Sequence, residues 1–506
     1  MNNSPAVPEL PFCLQPDKAG EFWNEPLDVR DLTTRLETEG VTDLIARTRF
    51  GFSDTCAMAR AWLPRILAYP KEQVPAPQAV NGWKEYWKGI SFALPLLASA
   101  VSILVLGFSL WGGDLSSGEA TAAGLGTINS FLITGGFVQV MARRGMFFAG
   151  TKQFRRCEES TWWWFGLGGT MLVTATALML AFATYWNWLP LRLNLVAAGF
   201  CVTLGFFWLG TGALHFQNGG LEILGVTVAG ILLVAVLHSG FHMGLIPAQL
   251  LAILIAGAGA TLIAALRLRR NHEPRSTALP AFRPRDVFLL WPFFLYGILY
   301  YWMLFADRLI AWTAHTQASA FLVQFRADYE SALNIGLLAF VFQVGWVQHS
   351  ITVFYRELAV AQRGYAIDCA DGFRRAMVRF YWQRTARFLP LALVVSLLVI
   401  VVAKAVLGND VIWTAQWAVA GFPFVVIGLW NVSLLFALSR APQAVAATAC
   451  ASAVDLVFGY LLSRLGSPQF AVIGFLIGGV TFTVLSGYWA LAALRRADHA
   501  YYAASR

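Results

Sequence analysis

The sequence predicts an all-α integral membrane protein of about twelve transmembrane helices in two six-helix bundles, preceded by an N-terminal cytoplasmic helical segment. Three observations carry this prediction. Of 506 residues, 58% are hydrophobic and 13% charged, about half the charge of an average soluble domain. So little polar surface excludes a water-soluble enzyme of this size. From Ile90 onward, apolar runs of bilayer length recur, each near the ~20 residues that cross ~30 Å of hydrocarbon. Finally, Lys and Arg gather in alternate connections between those runs, so the net charge of +9 reads as a topology signal rather than as a nucleic-acid surface.

Residues 1–88 differ from the rest in their mixed charge, several prolines and lack of a long apolar run, and they read as a cytoplasmic segment without a cleavable signal peptide. The spacing of Leu32, Leu36 and Leu44, then of Met58, Trp62 and Ile66, predicts two short amphipathic helices. They are interrupted near Phe50 to Phe52 and ended by Pro64, Pro70, Pro75 and Pro77. Such a segment serves as a small cap or as a docking site for a cytosolic partner.

The first bundle, residues 89–267, contains the runs Ile90 to Trp111, Thr121 to Met141, Trp162 to Trp186, Leu189 to Ala213, Leu221 to Leu237 and Leu245 to Leu266. A basic, proline-containing linker spans 268–286. The second bundle, residues 287–496, contains Val287 to Trp312, Ala332 to Phe354, Phe388 to Leu407, Val411 to Leu438, Ala444 to Leu462 and Phe470 to Leu494, and a cytoplasmic tail covers 497–506. Six spans plus six is a common plan of transporters that bind substrate between two halves and rock one against the other.

Orientation follows from the loops. One set carries Arg143, Arg144, Arg155, Arg156, Arg267, Arg269, Arg270, Arg356 to Arg387, Arg440, Arg495 and Arg496. The opposite set is short and nearly uncharged, and its longest member, Ala314 to Ser331, holds one arginine with Asp328 and Glu330. Positive loops stay inside, so both termini are expected in the cytoplasm. On this topology Cys13, Cys56, Cys157 and Cys369 are cytoplasmic and Cys201 and Cys450 lie in spans. None falls into a CxxC pair or zinc spacing.

Ionisable groups within the bilayer are costly, which makes the few present here informative. In the seventh span Tyr296, Tyr300 and Asp307 share a face, placing a carboxylate and Arg308 at the end of an aromatic stripe. The plainer alternative is an interfacial Asp/Arg pair reaching the headgroups. In the eighth span Asn334, Gly345, Gln348 and Thr352 form a polar stripe that suits either a lumen or interhelical hydrogen bonding, with His349 beside it as an inner-boundary residue. In the eleventh, Thr448, Ser452, Asp455 and Gly459 form a second stripe, with Asp455 near mid-membrane and no charged neighbour within a turn.

Other candidates read as structural. His238 and His242 have a two-histidine spacing but no third ligand, Asp368 and Asp371 suit a helix start beside Arg374 and Arg375, and Trp162 to Trp164 suit an aromatic belt. No metal, cofactor or catalytic residue is expected.

The stretch Tyr296 to Ala370 resembles a known family. It contains Ala306-Asp307-Arg308, Ile310-Ala311-Trp312, Phe325-Arg326-Ala327, Tyr329, Ser331, Leu338-Ala339-Phe340 and Phe354-Tyr355-Arg356. This is similar to the middle of the Pel exopolysaccharide exporters (PelG-type) of the multidrug/oligosaccharidyl-lipid/polysaccharide (MOP) flippase superfamily. The long N-terminal segment departs from the pattern, and Tyr355-Arg356-Glu357 replaces a more acidic run.

The resemblance implies a MOP/MATE-like fold, with Asp307 and Arg308 at the central cavity or its outer gate and the eighth helix along the path. It implies an inner-membrane exporter or flippase for a Pel-like polysaccharide, partnered by lipid, a cytosolic glycosyltransferase and other synthase subunits. Aromatic rings would stack on sugars, and Asp307 and Asp455 would meet cationic groups or couple protons. The alternatives are a cation-coupled multidrug efflux pump of the same superfamily, a scaffold subunit of a polysaccharide synthase, and a transferase on lipid-linked sugars.

Overall fold

A computed structural model describes residues 28–38, 41–68, 80–91, 93–151, 153–270, 284–314, 321–364 and 370–496. Cys13, Pro70, Pro75, Pro77, Asp368, Cys369, most of the linker and the tail lie outside them. The chain divides into two compact units, residues 1–78 and 79–506.

In the first unit the described residues form α1 (Val29–Thr38), α2 (Asp43–Phe50) and α3 (Thr55–Ala68), three helices where two are predicted. Thr42 caps α2, and Gly51 closes it at φ 73, a left-handed turn that a side chain would strain. Leu32, Leu36, Met58 and Trp62 are fully buried, with Phe50 and Phe52 set edge-on to the indole at 5.5 and 5.9 Å. Two expectations fail. Leu44 is 69% exposed: α2 buries Ala46, which at ~100° per residue lies on the opposite face from Leu44. Pro64 lies inside α3; it and Arg60 are exposed, so the carbonyl that proline leaves unserved is open to water.

In the second unit, eleven of the described helices are long and apolar enough to cross a membrane, and a bent pair makes a twelfth. The pair is α4 (Gly82–Ser91) and α5 (Leu94–Leu106), joined at 54°. This corrects the single run from Ile90 to Trp111. Gly107 ends α5 at φ 80, and Trp111 lies in the following turn, whose Ser109 and Gly112 carbonyls accept 2.9 Å hydrogen bonds from buried Gln249.

The remaining first-half helices are α6 (Ser117–Gly150), α7 (Phe154–Tyr185), α8 (Leu191–His215), α9 (Gly220–Ala235), which runs into a π turn, and α10 (Leu245–Arg270). The second half has α11 (Pro284–Trp312), α12 (Ala327–Gly364), α13 (Ala370–Val406), α14 (Asn409–Ala437), α15 (Ala441–Leu465) and α16 (Ala471–Leu494). Helix α12 begins within the predicted outer loop, and α13 begins well before Phe388, carrying its basic turns past the apolar run. Among the described residues β structure is limited to one bridge, Phe108 to Gly113.

Helices α6 to α10 pack on one another, as do α11 to α16. The halves meet where α6 crosses α11, so closely that a methyl at Gly297 would lie 2.4 Å from the Gly135 carbonyl oxygen. At one end the Phe325 amide donates to Thr121 Oγ1 at 2.9 Å. At the arginine-rich end the Arg143 guanidinium lies 5.1 Å over Phe293. The first span belongs to both halves, α4 packing on α12 and α5 on α9.

Candidate functional site

Asp307 lies in the last turns of α11, where the helix is buried against α15 and the start of α12. It is 1% exposed, and its Oδ2 accepts a 2.7 Å hydrogen bond from the Tyr329 hydroxyl. Oδ1 has no hydrogen-bond partner among the described residues. Arg308 pairs instead with Glu330, whose other oxygen accepts from Trp312 Nε1 at 3.0 Å. The interfacial Asp/Arg pair is therefore replaced by two separate arrangements, both buried. Arg326 closes this end of α11, its Nε donating to the Ala311 carbonyl at 2.9 Å and its guanidinium also reaching that of Ala314. A guanidinium there satisfies carbonyls that a helix C-terminus leaves over.

Asp455 is fully buried, and neither carboxylate oxygen has a hydrogen-bond partner among the described residues. It interacts electrostatically with Asp307 and with Tyr329, and the two carboxylates repel each other when both are ionised. Glycines make room for it: a methyl at Gly478 would lie 2.8 Å from the Asp455 Cβ, and one at Gly474 would lie 2.4 Å from Gly459 Cα. Thr448 and Ser452 are buried in the same seam, Ser452 donating to the Leu299 carbonyl of α11 at 3.4 Å. Two carboxylates from α11 and α15, with a tyrosine from α12, are thus buried within electrostatic reach of one another inside the second half, an arrangement able to hold a proton or a cation.

Tyr296 is buried and stacks on the half-buried Tyr300 at 6.0 Å. Beside them lies a ladder that the sequence did not single out: Tyr301 stacks on Phe131 at 4.8 Å, and Phe131 on Trp208 at 4.3 Å. These half-buried rings come from α11, α6 and α8 and so join the two halves.

The polar stripe of α12 divides. Asn334 is exposed. Gln348 and Thr352 bond to Glu85 of α4 at 3.4 and 3.0 Å, while Gly345 lets the Tyr86 backbone approach. That part of the stripe is interhelical bonding. His349 contacts Arg384 at 3.2 Å, and His238 Nδ1 bonds the Met243 carbonyl at 2.8 Å. A cavity of ≈ 290 Å³ opens among α6, α7 and α8, lined by Leu125, Met179, Phe182 and Trp188, with Asn129, Thr176 and Asn194 as its polar groups.

Residues 123–498 match the family model "PelG: Putative exopolysaccharide Exporter (EPS-E)". Among solved structures, the chain is similar to an outward-facing multidrug resistance MATE family transporter of the MOP superfamily, at TM-score 0.56 and 14% identity over 83% of this chain and 100% of that one. It is also similar to a variant of a Vibrio cholerae MATE transporter, at TM-score 0.57 and 15% identity over 83% and 98%. A MOP superfamily transporter from Pyrococcus furiosus matches at TM-score 0.54 and 14% identity over 82% and 99%. A search of curated protein sequences finds no match. The chain belongs to the exopolysaccharide-exporter (EPS-E) family, as a multi-pass membrane transporter with the MOP/MATE fold.

Proposed function

We propose that this transporter exports or flips an exopolysaccharide, Pel-like in kind, across a bacterial inner membrane by passage between its two half-bundles, with both termini cytoplasmic. The observation that carries the reading is the family match over 123–498. The stacked rings of Phe131, Trp208 and Tyr301 at the junction of the halves, with Tyr300 edge-on beside them, are consistent with it, since aromatic faces suit the apolar faces of sugar rings. In this reading Tyr296 and Tyr300 line the path with Asn334. Asp307 and Asp455 take up a proton or a cationic group, Arg308 fixes the end of α11, and Gln348 holds the first span. A cytosolic glycosyltransferase and other synthase subunits would deliver the polymer.

A second reading, cation-coupled efflux of drug-like compounds, is the better supported by geometry alone. The solved structures it resembles include a multidrug resistance transporter, and the ≈ 290 Å³ cavity is mainly apolar and sized for a small molecule.

The deciding experiment is deletion of the chain followed by measurement of both phenotypes. Polymer trapped in the cytoplasm, with tolerance of toxic compounds unchanged, is the expected result. Normal secretion with raised drug sensitivity would replace the first reading by the second. Asp307→Asn should abolish secretion while leaving membrane insertion intact, and normal secretion by that variant removes the role given to Asp307.

A further inference from the structure

Outside the candidate site, a concentration of positive charge lies at the arginine-rich end of the bundle. Arg374, Arg375 and Arg379, from the first three turns of α13, converge with Arg495, just past α16, on an open cavity of ≈ 420 Å³. Arg374 is neutralised locally by Asp371 at 3.1 Å. Arg375 Nε donates to the Asp371 backbone carbonyl at 3.2 Å, and among the described residues Arg375, Arg379 and Arg495 form no ion pair.

This placement is unfavourable in isolation because guanidinium groups lining one cavity repel each other. That cost reverses when an anion enters, and planar guanidinium forks from α13 and from the end of α16 match phosphate oxygens in particular.

Depth narrows the ligand further. Trp382 on α13 and Tyr488 on α16 are 56% and 67% exposed, as aromatic residues at headgroup level are. At 1.5 Å per residue, Arg379 lies about 5 Å and Arg495 about 10 Å beyond them along their helices. A long arginine side chain spans that distance.

We propose that this cavity binds a phosphate group, carried by an anionic phospholipid headgroup or by a soluble phosphate compound. The site is independent of what the bundle transports. The test uses the full-length protein in detergent, with thermal unfolding followed during titration with phosphatidylglycerol, phosphatidylcholine or inorganic pyrophosphate. Phosphatidylglycerol should raise the midpoint and phosphatidylcholine should not. In the double variant Arg375→Gln/Arg379→Gln the half-saturating concentration should rise about 30-fold, and Arg495→Gln on the other helix should shift it in the same direction. Arg270→Gln, an exposed arginine elsewhere, should leave it unchanged.

Stabilisation by phosphatidylglycerol alone assigns the headgroup. Stabilisation by pyrophosphate as well, lost in the same variants, assigns a soluble phosphate. Both neutralised side chains of the double variant are exposed and two repelling charges are removed, so its unliganded midpoint should equal or exceed the parent's. An equal ligand response in parent and variants, or no response to either phosphate probe, overturns the proposal.

Discussion

The Tyr329 hydroxyl donates a 2.7 Å hydrogen bond to Asp307 Oδ2, and both side chains are 1% exposed or less at residue level. Through this bond the start of α12 holds the carboxylate of α11. Tyr329→Phe removes one oxygen and leaves both oxygens of Asp307 without that donor. The expected cost is about 1–3 kcal/mol, seen as a lower unfolding midpoint in detergent together with reduced export. An unchanged midpoint would show that the bond contributes nothing to the fold.

Glu330 joins Arg308 and Trp312, with the Arg308 and Glu330 side chains only 12% and 8% exposed. Removing one partner of such a pair strands the other charge. Glu330→Ala should therefore cost about 3–5 kcal/mol, while the double variant Arg308→Leu/Glu330→Leu should unfold at a higher temperature than Glu330→Ala. A double variant no more stable than the single one would mean that packing, not stranded charge, sets the cost.

Helices α15 and α16 cross with almost no space at Gly459 and Gly474, where an added methyl would lie 2.4 Å from backbone. Gly474→Ala should push them apart and cost about 1–3 kcal/mol. Gly225→Ala, with nothing within 4 Å of the new methyl, should be neutral or slightly stabilising. Comparing the two unfolding midpoints checks the argument, and equal values would refute it.

In the first unit Asp43 accepts hydrogen bonds from the Thr55 amide and hydroxyl, both at 2.9 Å, and these hold its carboxyl below the ordinary 3.8. Asp54 is lowered in the same sense by the Ala57 amide and the Ser53 hydroxyl. A carboxyl depressed by folding stabilises the folded state above the ordinary value, and that contribution is lost as pH falls below 3.8 through the folded value. Hydrogen exchange on the full chain, corrected for intrinsic rates, should show protection of α2 and α3 decaying in that range. Asp43→Asn should flatten the dependence and lower protection at neutral pH.

Most spans were legible because hydrophobic length is a local property, and Asp455 stood out because no charge lies within a turn of it. What escaped depends on partners distant in the chain. Tyr329 and Glu330 read as loop residues because the turn that begins α12 is too polar to register as membrane. The segment Trp83 to Lys88 reads as the end of the cytoplasmic segment for the same reason, although its Glu85 serves Gln348 and Thr352. Phe131 and Trp208 are ordinary apolar residues in their own helices, and only the crossing of α6, α8 and α11 makes a ladder of them. The exposure of Leu44 turns on α2 being a separate helix that buries Ala46, which the spacing of leucines does not encode.

The broken first span bears on how the protein is made. Helix α5 has 13 residues, about 20 Å of rise, which is short of the ~30 Å hydrocarbon layer, and the chain ahead of it carries Lys84, Glu85 and Lys88. The residue that satisfies Glu85 most closely, Thr352, is encoded 267 positions later. At ordinary rates of synthesis that is a delay on the order of tens of seconds. During biogenesis Glu85 has only Lys88, 4.0 Å away on its own helix, and its hydrogen bonds across to α12, with the final seating of the first span, wait on the arrival of that helix, so this part of the chain is completed from its middle rather than in order from its start.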